Sequence, residues 1–131
     1  MMKKFIVFMA AVSMLALSLP ALAEVHLSVA ESAIATSVED RAPVGAAESF
    51  SVEVGTLYCF SKITGGSEGD SITHKWYRGE ELMAEVTLDI KYANHRTWSS
   101  KRLLPSWTGE WKVEIADGEG NVLETLSFTV E

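Results

Sequence analysis

Two stretches near the C-terminus constrain the fold most tightly. In "EWKVEIAD", Trp111, Val113 and Ile115 alternate with Lys112 and Glu114, and in "VLETLSFTV", Leu126, Phe128 and Val130 alternate with Thr125, Ser127 and Thr129. A period of two places one set on a buried face and the other in water, which is the signature of a half-buried strand. Between the two runs lies "DGEGN", where Asp117-Gly118 and Gly120-Asn121 tolerate the positive φ of a tight hairpin. The chain must therefore build at least one antiparallel pair with one greasy side.

The same grammar extends upstream. "ITHKWYR", "LMAEVTLDI" and "HRTWSSKRL" read as strands joined by "GEE", "KYAN" and "LPSWTGE". "VHLSVAESAIATSV" (25–38) reads as one or two strands, and "EDRAPVGAAES" as an irregular connection broken by Pro43 and Gly45. "FSVEVGTLYCFSKI" (50–63) is expected to be one long strand bent or bulged at Gly55, followed by the loop "TGGSEGDS". About seven antiparallel strands with a turn every 8 to 12 residues imply an all-β fold, a single β-sandwich.

The N-terminus has a different character. "MMKK" is a short cationic segment, "FIVFMAAVSMLALSL" an apolar run, and "PALA" offers Ala21 and Ala23 as the small residues of an A-x-A cleavage site. This is the layout of a bacterial secretory signal peptide, with cleavage after Ala23 and residues 24–131 forming one domain. The apolar run is shorter than the roughly 20 residues of a membrane span and ends at Pro20. The expected location is the periplasm or beyond, without stable membrane insertion after cleavage. Loss of Lys3 and Lys4 makes the formal charge of −7 more negative still. An acidic domain is repelled by phosphate backbones, which argues against nucleic acid as a partner.

Cys59 is the only cysteine, so an intramolecular disulfide is excluded, and its apolar setting predicts a buried small hydrophobe. His26, His74 and His95 have no metal-ligand spacing to one another or to acids, and no nucleophile elbow, zinc-protease motif or phosphate loop is present. Neither a metal nor another cofactor is expected. The residues that could carry function lie in "THKWYR" and "HRTWSSK". His74 and Trp76 share one face of the first strand; Arg96, Trp98 and Ser100 share one face of the second. An aromatic plate beside cationic donors suits a sugar, an aromatic ligand or a peptide carboxylate. The candidate contact set is His74, Arg96, Trp98, Lys101 and Trp107. Trp98 also has a core reading, whereas Trp107, in the turn-like "LPSWTGE", is expected to be partly exposed, as are Tyr77 and Tyr92. Trp76, Trp111 and Cys59 are assigned to structure.

"HKWYRGEEL" resembles strand C of immunoglobulin-like domains, where a buried tryptophan sits at the centre of the sandwich. "TGEWKVEI" resembles the corner before strand F, with Trp111 at the place of the corner tyrosine and Val113 at that of the second cysteine. Cys59 stands near the strand B position without a partner, so the resemblance is to the sandwich and not to the disulfide-bearing antibody type. A second resemblance rests on "ATSVEDRAPVG", "VGTLYCFSKITG", "ITHKWYRGEE", "RTWSSKRLLP" and "GEWKVEIADGEGNVL", taken in this order. Together they resemble the bacterial domain of unknown function family 2914 (DUF2914). That resemblance implies an exported all-β domain and brings no catalytic or ligand residues with it. It makes Arg41–Pro43, His74–Trp76, Thr97–Lys101 and Gly109–Trp111 the expected shared pattern.

Three functional classes follow. The favoured one is a non-catalytic binding or interaction module of the envelope, taking a protein segment or a glycan. The second is an enzyme with a dispersed site in which His74 acts as acid/base and Arg96 binds an anionic group; it requires His74, Arg96 and Lys101 to converge in one pocket. The third is a structural adaptor that joins another sheet through an exposed strand edge.

Overall fold

A computed structural model describes residues 26–131; the expected signal peptide and its cleavage point after Ala23 lie outside the described residues. The described residues contain no α-helix and ten strands. Seven of them are long: β1 (Ser28–Ala35), β5 (Thr56–Thr64), β6 (Asp70–Arg78), β7 (Glu81–Ile90), β8 (Asn94–Arg102), β9 (Gly109–Asp117) and β10 (Val122–Val130). Three are short: β2 (Ser37–Glu39), β3 (Ala42–Val44) and β4 (Ser49–Phe50). The chain is all-β.

The strands form a three-stranded sheet, β1-β5-β8, a five-stranded sheet, β4-β10-β9-β6-β7, and the small β2-β3 hairpin. All pairs are antiparallel except β4, which runs parallel to the end of β10. The two large sheets share one core. Leu57, Cys59 and Ile63 of β5 meet Ile72 and Trp76 of β6 and Trp111, Val113 and Ile115 of β9 there. Phe128 is the aromatic hub: Trp76 and Phe50 approach its ring edge-on at 6.3 and 6.1 Å, and Trp111 stacks on it at 6.1 Å. Such geometries satisfy the ring quadrupoles while burying large apolar areas.

Two local expectations are corrected. The run 50–63 is not one bulged strand. Phe50 ends β4, and a 3₁₀ turn (Val52–Val54) follows, capped by the Ser51 hydroxyl, which accepts from the Glu53 N–H. Gly55, at φ 80°, reverses the chain into β5, a conformation that L-residues with a Cβ resist. The segment 39–49 is also less irregular than its composition implies. Asp40 and Arg41 both take positive φ, at 51° and 61°, closing the two-residue turn between β2 and β3. Paired positive φ values are what a type I′ hairpin turn needs, and arginine is not a residue that advertises them.

Candidate interaction surface

β8 is polar on both faces, so its orientation is decided by what its partners need. Ser99 is buried between the sheets, while Asn94, Arg96, Trp98, Ser100 and Arg102 are exposed. The inward choice is explained by β6. His74 is fully buried, and its Nδ1 lies 2.7 Å from Ser99 Oγ while Nε2 lies 2.9 Å from Ser61 Oγ. Trp76 Nε1 donates to the same Ser99 hydroxyl at 3.1 Å. A neutral imidazole has one donor and one acceptor, and serine can serve as either. The arrangement in which Ser99 accepts from Trp76 and donates to Nδ1 uses both capacities of that hydroxyl. Burial holds the His74 pKa down to about 4, so the ring is neutral at physiological pH.

His74 is therefore removed from the contact set. A ring with no exposed surface cannot touch a ligand, and its two nitrogens are already engaged by Ser61 and Ser99. Cys59 is buried next to it, with Sγ 4.0 Å from Nε2, and burial pushes its thiol pKa upward. Cys59, Trp76 and Trp111 occupy the core positions read from the sequence.

The remaining four candidates fall in two places. Arg96 and Trp98 lie on the outer face of the three-stranded sheet; Trp98 retains 37% of its surface, against 0% for Trp76. Its core reading is thereby corrected, because the polar inward row of β8 is claimed by His74. Across that face run the rows Glu31–Lys62–Arg96 and Ala33–Phe60–Trp98. The β2-β3 hairpin packs over the β1 and β5 part, leaving Ala35 and Phe60 buried although they point outward. Arg96 Nη1 donates to the Arg41 carbonyl in the hairpin turn at 3.4 Å. Among the described residues, Lys62, Arg96 and Arg102 have no carboxylate within ion-pair distance.

Lys101 and Trp107 form the second group. Lys101 Nζ sits 5.0 Å from the Trp107 ring centroid, within cation–π range. The loop 103–108 that carries Trp107 is held in place by Arg78, whose Nε and Nη2 donate to the Thr108 and Ser106 carbonyls at 3.0 and 3.1 Å. Trp111 Nε1 donates to the Trp107 carbonyl at 3.0 Å. Trp107 is half-buried and packs against the core, at a 53° tilt to Trp111. Tyr92, at 63% exposure, stacks on His95, and half-buried Tyr77 lies beneath Lys112.

The described concavities lie elsewhere. One, of about 280 Å³, is lined by His26, Asp70, Ser71 and Asp117, beside the start of β6 and the end of β9. Beside it Asp70 is held below its ordinary pKa by the Ser67 backbone N–H and the His26 ring. Another, of about 590 Å³, lies between β1 and β10 beside Ala46–Glu48. Neither contains any of the five nominated residues.

Local patterning also does not reveal which backbone groups β8 leaves unpaired. Leu103 N donates to Gly55 O, and Gly65 N to Ala93 O. With the β5–β8 register, these bonds turn the odd-numbered residues of β8 toward β5. The N–H and C=O groups of Arg96, Trp98 and Ser100 consequently point away from the sheet, beside their own exposed side chains.

Residues 69–130 match the model of a family described as "Protein of unknown function (DUF2914)", and no curated protein matches the chain. The matched span contains His74–Trp76, Thr97–Lys101 and Gly109–Trp111, but not Arg41–Pro43. It runs from the start of β6 to the end of β10 and so includes the whole of β8. Over these residues, 69–130, the chain is similar to the DUF2914 family of proteins of unknown function.

Proposed function

We propose that the chain is an exported, periplasmic, non-catalytic interaction module that contacts a protein segment through the outer face and free margin of β8. The observation that carries this reading is Trp98: a large aromatic exposed on a sheet face, flanked by Arg96 and Lys62, which lack ion-pair partners among the described residues. Exposed aromatic and arginine side chains are enriched at protein contacts because they bury area and donate directional hydrogen bonds. The glycan form of the reading draws less support. A sugar platform is best served by two coplanar exposed rings; among the described residues no aromatic ring stacks on Trp98, and Trp107 tilts against buried Trp111. The enzyme reading needs a reachable His74 and has no such support.

The framework we infer is an immunoglobulin-like sandwich of seven main strands. Supporting it are the buried Trp76 on β6, the order β10-β9-β6-β7, and the position of Cys59 on the opposing sheet. Export rests on the N-terminal pattern: a short cationic segment, an apolar run and an A-x-A cleavage site. The test is affinity capture from envelope extract with the wild type and an Arg96→Ala/Trp98→Ala variant. The reading expects a partner retained by the wild type and lost by the variant; equal recovery by both would overturn it.

A further inference from the structure

The two large sheets are unequal, and the mismatch leaves a specific gap. On β6, the inward residues Ile72, His74 and Trp76 have no exposed surface. Their cross-strand partners on β7, Leu88, Val86 and Ala84, are only half-buried, because the opposing three-stranded sheet ends at β8. Constant-type immunoglobulin sandwiches carry a fourth strand in that sheet. Among the described residues no strand occupies the place beside β8, and that place adjoins a partly uncovered apolar row.

The margin of β8 is prepared for pairing in a way the other edges are not. It spans nine residues with no register irregularity and no proline. β1 is bulged between Val29 and Glu31, β4 has two residues, and β7 is irregular opposite Trp76 and Tyr77. Bulges, short edges and charges are the usual means of preventing strand addition. The charge on the two long edges also differs in sign. Gly79 N donates to Glu110 O, so in the β6–β9 register the odd-numbered residues of β6 bond to β9 and the even-numbered ones to β7. The unpaired backbone of β7 then lies at Glu85, Thr87 and Asp89, and that of β8 at Arg96, Trp98 and Ser100, with Arg102 beyond. The first edge is acidic and the second cationic, on a chain of net charge −7.

We infer that β8 accepts an extended segment of another polypeptide as a fourth strand, and that the segment alternates apolar with acidic residues. This deepens the interaction reading above and rests on it. The segment's backbone pairs with Arg96, Trp98 and Ser100. Its acidic side chains meet Arg96 and Arg102 on the outer face, and its apolar side chains cover Val86 and Leu88 on the inner one. Main-chain bonds supply affinity in such additions, and alternate side chains supply selectivity.

The test uses the full chain and a synthetic probe, acetyl-Val-Glu-Ile-Glu-Val-Glu-Val-amide, with binding followed by calorimetry. Saturable binding is expected, with loss on replacing each glutamate by lysine. Ser100→Pro removes an outward N–H without touching the β5 bonds, which edge positions tolerate. It is expected to weaken binding at least tenfold with the fold retained by circular dichroism. Thr87→Pro, the matched change on the β7 edge, is expected to leave binding unchanged. No binding of the acidic probe, equal binding of the lysine probe, or indifference to Ser100→Pro would each overturn the inference. A wild-type dimer that Ser100→Pro converts to monomer would also overturn it, by putting a second copy on the edge. In the capture experiment, loss of the partner with Arg96→Ala/Trp98→Ala but not with Ser100→Pro overturns strand addition alone. Equal recovery in all variants removes the surface reading itself.

Discussion

His74 of β6 and Ser99 of β8 are joined between the two sheets by a 2.7 Å contact from Nδ1 to Oγ, and the same hydroxyl receives the Trp76 indole N–H at 3.1 Å. This small polar bridge, completed by Ser61, fixes which face of β8 turns inward. It thereby decides which face carries Arg96 and Trp98.

Ser99→Ala should therefore be costly for so small a change. It removes a shared partner from two buried groups, and an unsatisfied buried polar group costs about 1–3 kcal/mol. A loss of about 2–4 kcal/mol in urea unfolding is expected, against little change for Ser127→Ala on the solvent face of β10.

Stability should fall on mild acidification. The folded His74 pKa is about 4 against an ordinary 6.5, so between these values the unfolded chain binds more protons than the folded one. Stability rises with pH across that window and is lost as pH falls from about 6.5 toward 4, up to about 3 kcal/mol in all. Burial and nearby cations, Arg41 and Lys91, lower the His95 pKa as well, a contribution of the same sign. Comparing the wild type with His74→Gln between pH 7 and 5 isolates the buried ring: the variant should show a shallower slope.

The two tryptophans that look alike in sequence should respond differently to truncation. Trp76→Ala opens the centre of the core and should cost about 3–5 kcal/mol or prevent folding. Trp98→Ala, on the outer face, should cost about 1 kcal/mol or less, the usual range for exposed positions. Paired urea titrations read the difference directly.

Cys59 should be inert while the chain is folded. Its thiol is fully buried, and burial raises its pKa, which suppresses the thiolate. An aromatic disulfide reagent is expected to react with no thiol under native conditions and with one per chain in guanidinium. Rapid native reaction would contradict the placement of Cys59.

Much of this arrangement was legible wherever apolar and polar residues alternate. Trp111, Val113 and Ile115 declared their face, as did Phe128 and Val130. β8 was ambiguous for a physical reason: Arg96, Trp98 and Ser100 alternate with Thr97, Ser99 and Lys101, and neither set is greasy. The tie is broken by the hydrogen-bonding needs of His74, a residue 25 positions away. The turn at Asp40 and Arg41 was hidden because neither residue demands positive φ. The open place beside β8 could not be read locally, since strand order is a property of the whole sheet.

Amide hydrogen exchange resolved residue by residue reads whether the margin of β8 is the contact surface. In the free chain the Arg96, Trp98 and Ser100 amides, which point away from β5, should exchange quickly, while those of Thr97 and Ser99 are protected. Addition of the alternating acidic peptide should slow the first three and leave the other two unchanged. Protection of all five amides in the free chain, or no slowing of Arg96, Trp98 and Ser100 on peptide addition, would show that the β8 margin is not the contact surface.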